Sequence, residues 1–237
     1  MAADRIDFAS IKATEGGDFV DDRFAANWAG AGSAGLRRGA YHFFTLCTPG
    51  AIQARHFLAV VPEDPDALPP AVDVELAENC AERPAGDDLR RELLAFLEIV
   101  ESATGAQGVL YIGNDLEERY GIRDELDRPL WLPRPLLRPD GDWWIWQASA
   151  FAHVSGVSGG VDLDVMRSLE PHDVELVRVA YSLRRGTPTS RFTAPPIAAP
   201  RPMPPSTSSG AWAPRYSRAK ATSPARAAGT TRQRPRR

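Results

Sequence analysis

Six short apolar segments bounded by Gly, Pro and Asp, several of them separated by amphipathic stretches, constrain this 237-residue chain more than any other feature. Segments 6–12 (IDFASIK), 36–44 (LRRGAYHFF), 70–76 (PAVDVEL), 108–112 (GVLYI), 129–132 (PLWL) and 143–147 (WWIWQ) are rich in β-branched and aromatic residues and read as strands. Stretch 88–104 places Leu89, Leu93, Leu94, Phe96, Leu97 and Val100 at three- and four-residue spacing. It reads as a helix capped by Asp87 or Asp88 and ended by Gly105. Stretches 22–34 and 48–61 carry weaker helical patterns. Strands alternating with helices predict an α/β fold with a parallel sheet and crossover helices, either open or closed into a barrel. After Arg123 the helical pattern stops, so the last part of the sheet is expected to be strand-rich, with one final helix over 171–183.

Charge divides the chain in two. Residues 1–186 hold 18 Lys+Arg against 31 Asp+Glu, whereas residues 187–237 hold nine Arg and Lys220 with no acid, so a formal −13 precedes a +10. The first part is long enough for one domain with its own core. The second contains ten Pro, ten Ala, seven Thr and six Ser and is expected to be a disordered tail: a solvated linker, or a tether to an anionic polymer such as wall teichoic acid, nucleic acid or a lipid surface. No apolar run approaches the roughly 18 residues needed to cross a bilayer, which excludes a spanning helix. Met1–Asp7 is charged within four residues and reads as no secretory signal. Cys47 and Cys80 lack metal-finger spacing. Each lies just past a strand end on strands expected to be neighbours, so a bridge is geometrically allowed, while two free thiols are the simpler expectation.

The chemistry centres on Asp73 and Glu75 in PPAVDVEL. Residues two apart on a strand face the same side with α-carbons about 6.7 Å apart, and two carboxylates so placed repel one another, so that partial burial raises the pKa of one. A carboxylic acid beside a carboxylate is what acid catalysis at a glycosidic bond needs. A D-x-E that merely caps a turn is the plainer alternative. Parallel sheets present functional groups at the carboxyl ends of their strands, where Lys12, Glu15, Tyr41, His42, Tyr111, Trp131, Gln147, Asp162 and Asp164 also fall. Aromatic planes stack on sugar faces while carboxylates and amides take hydroxyls, so this set fits a carbohydrate cleft. A cation site built from Asp73, Glu75, Asp162 and Asp164 is the minor alternative, lacking a His set or a DxDxDG loop. His42 reads as a packed histidine rather than a proton shuttle.

The succession IKATEG (11–16), GAYHF (39–43), Asp73-Val74-Glu75, Leu130-Trp131, Trp146-Gln147 and Val161-Asp162-Leu163 resembles the family-25 glycoside hydrolases, lysozymes that cut peptidoglycan, over about residues 6–168. The resemblance implies an irregular TIM-like β/α barrel and an N-acetylmuramidase that cleaves the β-1,4 bond between N-acetylmuramic acid and N-acetylglucosamine with retention. It implies Glu75 as proton donor, Asp73 as the group that orients the acetamido substituent or stabilises the charged intermediate, and Asp162 as a further carboxylate. Tyr41, Tyr111, Trp131 and Gln147 would line the sugar cleft. No metal or cofactor is implied. The expected partners are peptidoglycan strands and, for the tail, an anionic wall polymer rather than nucleic acid, with the chain a monomer.

Two departures from the family pattern stand out. The family's G-I-D-V-S-like first strand and its Asp have no counterpart before Ile11, which predicts a barrel with two open edges, and a catalytically impaired wall-binding protein as the alternative to an enzyme. Trp131-Leu132-Pro133-Arg134-Pro135 replaces a small residue followed by an aromatic one, which reshapes a cleft wall. The resemblance implies an extracellular or wall location. Without a signal in the chain, cytoplasmic accumulation or phage-type release are the alternatives.

Overall fold

The computed structural model of the chain describes residues 6–167 together with the backbone of one further strand, Leu176–Leu183. The first half runs β1 (Phe8–Glu15), β2 (Phe19–Val20), α1 (Phe24–Ser33), β3 (Arg37–Phe43), α2 (Gly50–Val60), β4 (Ala71–Val74) and α3 (Gly86–Thr104). The second runs β5 (Val109–Ile112), α4 (Asn114–Tyr120), β6 (Leu130–Pro133), β7 (Ile145–Ala152), β8 (Val161–Arg167) and β9 (Leu176–Leu183). The described strands form one curled mixed sheet of order β2-β1-β3-β4-β5-β6-β7-β8-β9. Pairing is parallel along β1-β3-β4-β5-β6-β7 and antiparallel between β1 and β2, between β7 and β8 and between β8 and β9. No described helix follows α4, matching the loss of helical periodicity.

Every central strand is covered on both faces. On β1, Ala9, Ile11 and Ala13 pack toward the helices, as do Ala40 on β3, Val72 and Val74 on β4 and Leu110 and Ile112 on β5. The alternate residues Phe8, Tyr41, Ala71, Val109, Tyr111 and Trp131 form a second cluster on the concave face. Helix α3 supplies Leu89, Leu93, Phe96, Leu97 and Val100 to the outer layer, each worth about 1.5–3 kcal/mol of burial. Its residue before the first turn is Ala85, not an aspartate. Asp87 and Asp88 lie within the first turn, where they meet the positive end of the helix dipole, and Gly105 ends the helix at φ 70°. Helices α2 and α3 approach so closely at Gly50 that a β-carbon there would lie 1.8 Å from the Glu92 carbonyl oxygen.

Three expectations change. The helix expected over 171–183 is, where described, strand β9, since Leu176–Leu183 alternates Val177, Val179 and Tyr181 at the period of a strand rather than a helix. Strand β9 pairs antiparallel with β8 and parallel with β1, so a strand lies where open edges were expected. The tail 187–237 lies outside the described residues. Finally, Cys47 and Cys80 are not free thiols: they form a disulfide with α-carbons 6.1 Å apart, because the loops after β3 and β4 run side by side.

His42 shows why a polar residue sits in the outer layer. Residues 41 and 42 point to opposite faces, so Tyr41 meets the concave side and His42 is stacked on Phe96 at 4.9 Å. The Gln53 amide nitrogen donates to the carbonyls of Thr45 and Thr48, which leaves Gln53 Oε1 to accept from His42 Nε2 at 2.9 Å. The imidazole is thus the neutral Nε2–H tautomer, and its Nδ1 accepts from Thr14 Oγ1 at 2.7 Å. Burial, the largest cause, lowers its pKa from 6.5 to about 3, while the Gln53 bond opposes the shift.

Two predictions follow from these contacts. The Cys47–Cys80 bridge closes a 33-residue separation, so reduction or Cys80→Ser is expected to lower unfolding stability in urea by about 3 kcal/mol. The serine variant should be indifferent to reductant. Between pH 6.5 and 3 the unfolded chain binds a proton at His42 that the native chain refuses, so this contribution is present above 6.5 and is lost as pH falls. From pH 7 to 4.5 the wild type should lose about 2 kcal/mol more stability than His42→Gln, read from denaturation curves at the two pH values.

Candidate active site

The concave face opens toward the carboxyl ends of the parallel strands into a cleft. Tyr41, Asp73, Glu75, Tyr111, Trp131, Gln147 and Asp162 all line it. They come from β3, β4 and the turn after it, β5, β6, β7 and β8, so six adjacent segments each contribute a residue from the same face. Lys12, Phe43, Ala71, Ala77 and Glu78 complete the lining. His42 is absent from it, for the pleat that aims Tyr41 into the cleft aims His42 at α3.

The walls are held by side-chain bonds. Tyr111 Oη donates to Gln147 Oε1 at 3.1 Å across β6, which separates their strands. The Tyr111 ring meets Trp131 edge to face at 5.6 Å. Asp164, fully buried, accepts from Trp131 Nε1 at 2.9 Å and so fixes the indole from behind rather than facing the cleft. An aromatic wall locked by buried acceptors is a rigid stacking plane. The altered segment after Trp131 lies along β7, with Arg134 N donating to the Gln147 carbonyl and Leu136 N to that of Ala148.

The acidic wall is built by the turn after β4. Asn79 organises it: its amide nitrogen donates to the carbonyls of Phe44 and Glu75, each at 2.9 Å, and its oxygen accepts from the backbone of Leu46 and Cys80. Together with the adjacent disulfide, this ties the turn carrying Glu75 and Glu78 to the loop after β3. Glu78 adopts φ 57°, a left-handed conformation costing a non-glycine residue about 1 kcal/mol, and its position on the cleft rim follows from that turn. Opposite, Gly113 leaves room for Glu75: a β-carbon at 113 would come within 3.3 Å of Glu75 Cγ.

The sequence pattern located Lys12, Glu15 and Asp164 at strand ends, giving the first two no individual role and Asp164 only a place in the alternative cation set. Phe43, Ala77 and Glu78 it passed over. Phe43 could have been found from its two-residue offset from Tyr41, whereas Glu78 depends on a turn conformation without a local signature. For a metal, the only described His, Cys, Asp and Glu residues grouped closely enough are Cys47, Cys80 and Glu82, and those sulfurs are bonded to each other. The expected alternative ligand set of Asp73, Glu75, Asp162 and Asp164 does not assemble among the described residues.

The chain is 35% identical to YegX of Escherichia coli O157:H7 over 170 residues, covering 70% of this chain and 61% of that protein. It is 31% identical to Lysozyme M1 of Streptomyces globisporus over 189 residues, covering 65% and 58%. It therefore spans about three fifths of the length of these curated relatives. Among solved structures, a family 25 glycosyl hydrolase from Bacillus anthracis matches with a TM-score of 0.62 at 35% identity, covering 68% of this chain and 78% of that one. A lysozyme from Streptomyces coelicolor matches with a TM-score of 0.62 at 29% identity, covering 70% and 84%. The profile of glycosyl hydrolases family 25 matches residues 1–157, about two thirds of the sequence, and this shows that the chain belongs to glycosyl hydrolases family 25.

Proposed function

We propose that this chain is a peptidoglycan hydrolase that cleaves the β-1,4 bond between N-acetylmuramic acid and N-acetylglucosamine, with Glu75 as proton donor and Asp73 and Asp162 as supporting carboxylates. The observation that carries the reading is the convergence of these three acids with Tyr41, Tyr111, Trp131 and Gln147 on one cleft. Glu75 transfers its proton to the glycosidic oxygen as the bond to the anomeric carbon breaks. Asp73, two residues before Glu75 and lining the same cleft, stabilises the positive charge that develops or orients the acetamido group. Water then adds to the anomeric carbon and returns a proton to Glu75. The aromatic wall holds the sugar rings by their apolar faces.

The same reading takes the sheet as a barrel closed by β9, with residues 1–186 as the catalytic domain. A disulfide beside the cleft favours an oxidising compartment, in keeping with action at the cell wall. No described helix is long and apolar enough to cross a membrane. The −13 domain is repelled by an anionic wall, and the +10 of residues 187–237 offsets that repulsion as a tether.

Clearing of a peptidoglycan suspension with release of reducing ends tests the assignment. Glu75→Gln is expected to lower the rate at least 100-fold while the thermal midpoint stays within a few degrees. Full activity in that variant would overturn it, and wild-type binding to walls without reducing-end release would identify a wall-binding protein instead. A chain ending at Gly186 should keep its rate on soluble glycan strands but lose wall binding at 0.01 M salt, where screening acts over about 30 Å. Unchanged wall binding would remove the tether.

A further inference from the structure

The cleft is lined by four carboxylates, Asp73, Glu75, Glu78 and Asp162, and by a single described cation, Lys12. Lysine side chains are almost never fully buried, yet Lys12 is 5% exposed. Its position is built by an irregularity in β1. The pairing of β1 with β3 runs regularly to Lys12–Tyr41, then slips so that Thr14 stands opposite His42 and Glu15 opposite Phe43. In a regular strand residues three apart face opposite sides. The slip turns Thr14 to the helix side, where it bonds to His42, and returns Glu15 to the side of Lys12, where the two form an ion pair at 2.9 Å. Bulges of this kind re-aim side chains and cluster beside active sites.

The ammonium is well placed but under-bonded. It lies 4.7 Å from the Phe43 ring centroid and 5.8 Å from that of Phe19, which favour its charge but accept no hydrogen bond in the ordinary sense. Of its three protons, one goes to Glu15 Oε2, its one hydrogen-bond acceptor among the described residues. The others face a cleft whose remaining charged groups are acids. Trp131 Nε1 is committed to Asp164 and Tyr111 Oη to Gln147, so the strongest donor left for a ligand oxygen is Lys12.

Resting on the reading of the cleft as a peptidoglycan site, we propose that Lys12 distinguishes the two sugars of the strand by donating to the O3-lactyl group of N-acetylmuramic acid. Both sugars carry an acetamido group, and only the muramyl residue adds a lactyl carbonyl or carboxylate. A cation in an acidic cleft favours the sugar bearing that extra acceptor. Without the acceptor the ammonium keeps unpaired protons in a desolvated site, which disfavours a glucosaminyl residue in the same place.

Calorimetric titration of the turnover-deficient Glu75→Gln chain with two tetrasaccharides tests this: one alternating N-acetylglucosamine and N-acetylmuramic acid, the other chitotetraose. The alternating ligand should bind about tenfold more tightly, as expected for one charge-assisted hydrogen bond. Adding Lys12→Met with Glu15→Gln, which removes the ion pair as a unit, should bring the two affinities within about twofold by weakening the muramyl ligand alone. Lys12→Arg should retain the preference. Because the preference is a ratio read on one preparation, a loss of folded protein does not mimic it. Equal affinities in the Glu75→Gln parent, or a preference that survives Lys12→Met/Glu15→Gln, would overturn the proposal. An equal loss for both ligands would do so too, since it would place the ammonium on the shared acetamido group. Failure of the hydrolase reading shows separately, in the turnover of the wild type.

Discussion

The two-residue period of the strands, imposed on a parallel sheet covered on both faces, is the constraint from which the site follows. Each central strand must offer one set of side chains to the helices and another to the concave side. On β4 the first set is Val72 and Val74 and the second is Ala71 and Asp73; on β5 they are Leu110 and Ile112 against Val109 and Tyr111. Near the amino ends the inward set is apolar and fills the concavity. Toward the carboxyl ends of β1, β4 and β5, within β7 and at the amino end of the antiparallel β8 it changes to Lys12, Asp73, Tyr111, Gln147 and Asp162, and there the packed interior gives way to a cleft. Core and site are thus one pleated surface whose chemistry changes along the strands.

The polar groups that this arrangement buries are satisfied in linked sets. His42, Thr14 and Gln53 join β1, β3 and α2 on the helix side, and Gln53 extends the set to the backbone of the loop after β3. That loop is bound in turn to the turn after β4 by Asn79 and by the Cys47–Cys80 bridge. A chain of bonded contacts therefore runs from the outer layer to the turn bearing Glu75 and Glu78. On the far side, Asp164 and Gln147 do the same for Trp131 and Tyr111. Both walls are held by groups that do not themselves carry the proposed chemistry.

Much of this was legible from local pattern. Strand ends near Tyr41, Asp73, Tyr111 and Trp131 could be found because β-branched and aromatic runs end at turn residues, and α3 because its apolar spacing is that of a helix, whereas the strand expected to stop at Gln147 continues to Ala152. What escaped has a common cause. Strand β9 alternates at a period of two but, read together with the preceding residues, is expected as a helix, and its pairing with β8 and β1 places it in the sheet. The short α4 and the two-residue β2 are too brief for a periodic signal. The disulfide depended on how near two loops come, and the pairing of Lys12 with Glu15 on a register slip that no spacing rule anticipates.

By itself, then, the sequence determined the division of charge between residues 1–186 and 187–237, which is a matter of composition, and the alternation of strands and helices in the first part, which rests on nearest-neighbour preferences and on periods of two and 3.6. Only the tertiary structure decided which strand ends meet, that Asp164 stands behind Trp131 while Asp162 faces the cleft, that Cys47 joins Cys80, and that one lysine enters a ring of acids. Those outcomes depend on register, curvature and loop approach across residues tens of positions apart, where energy is set by shared space and satisfied polar groups rather than by any local segment.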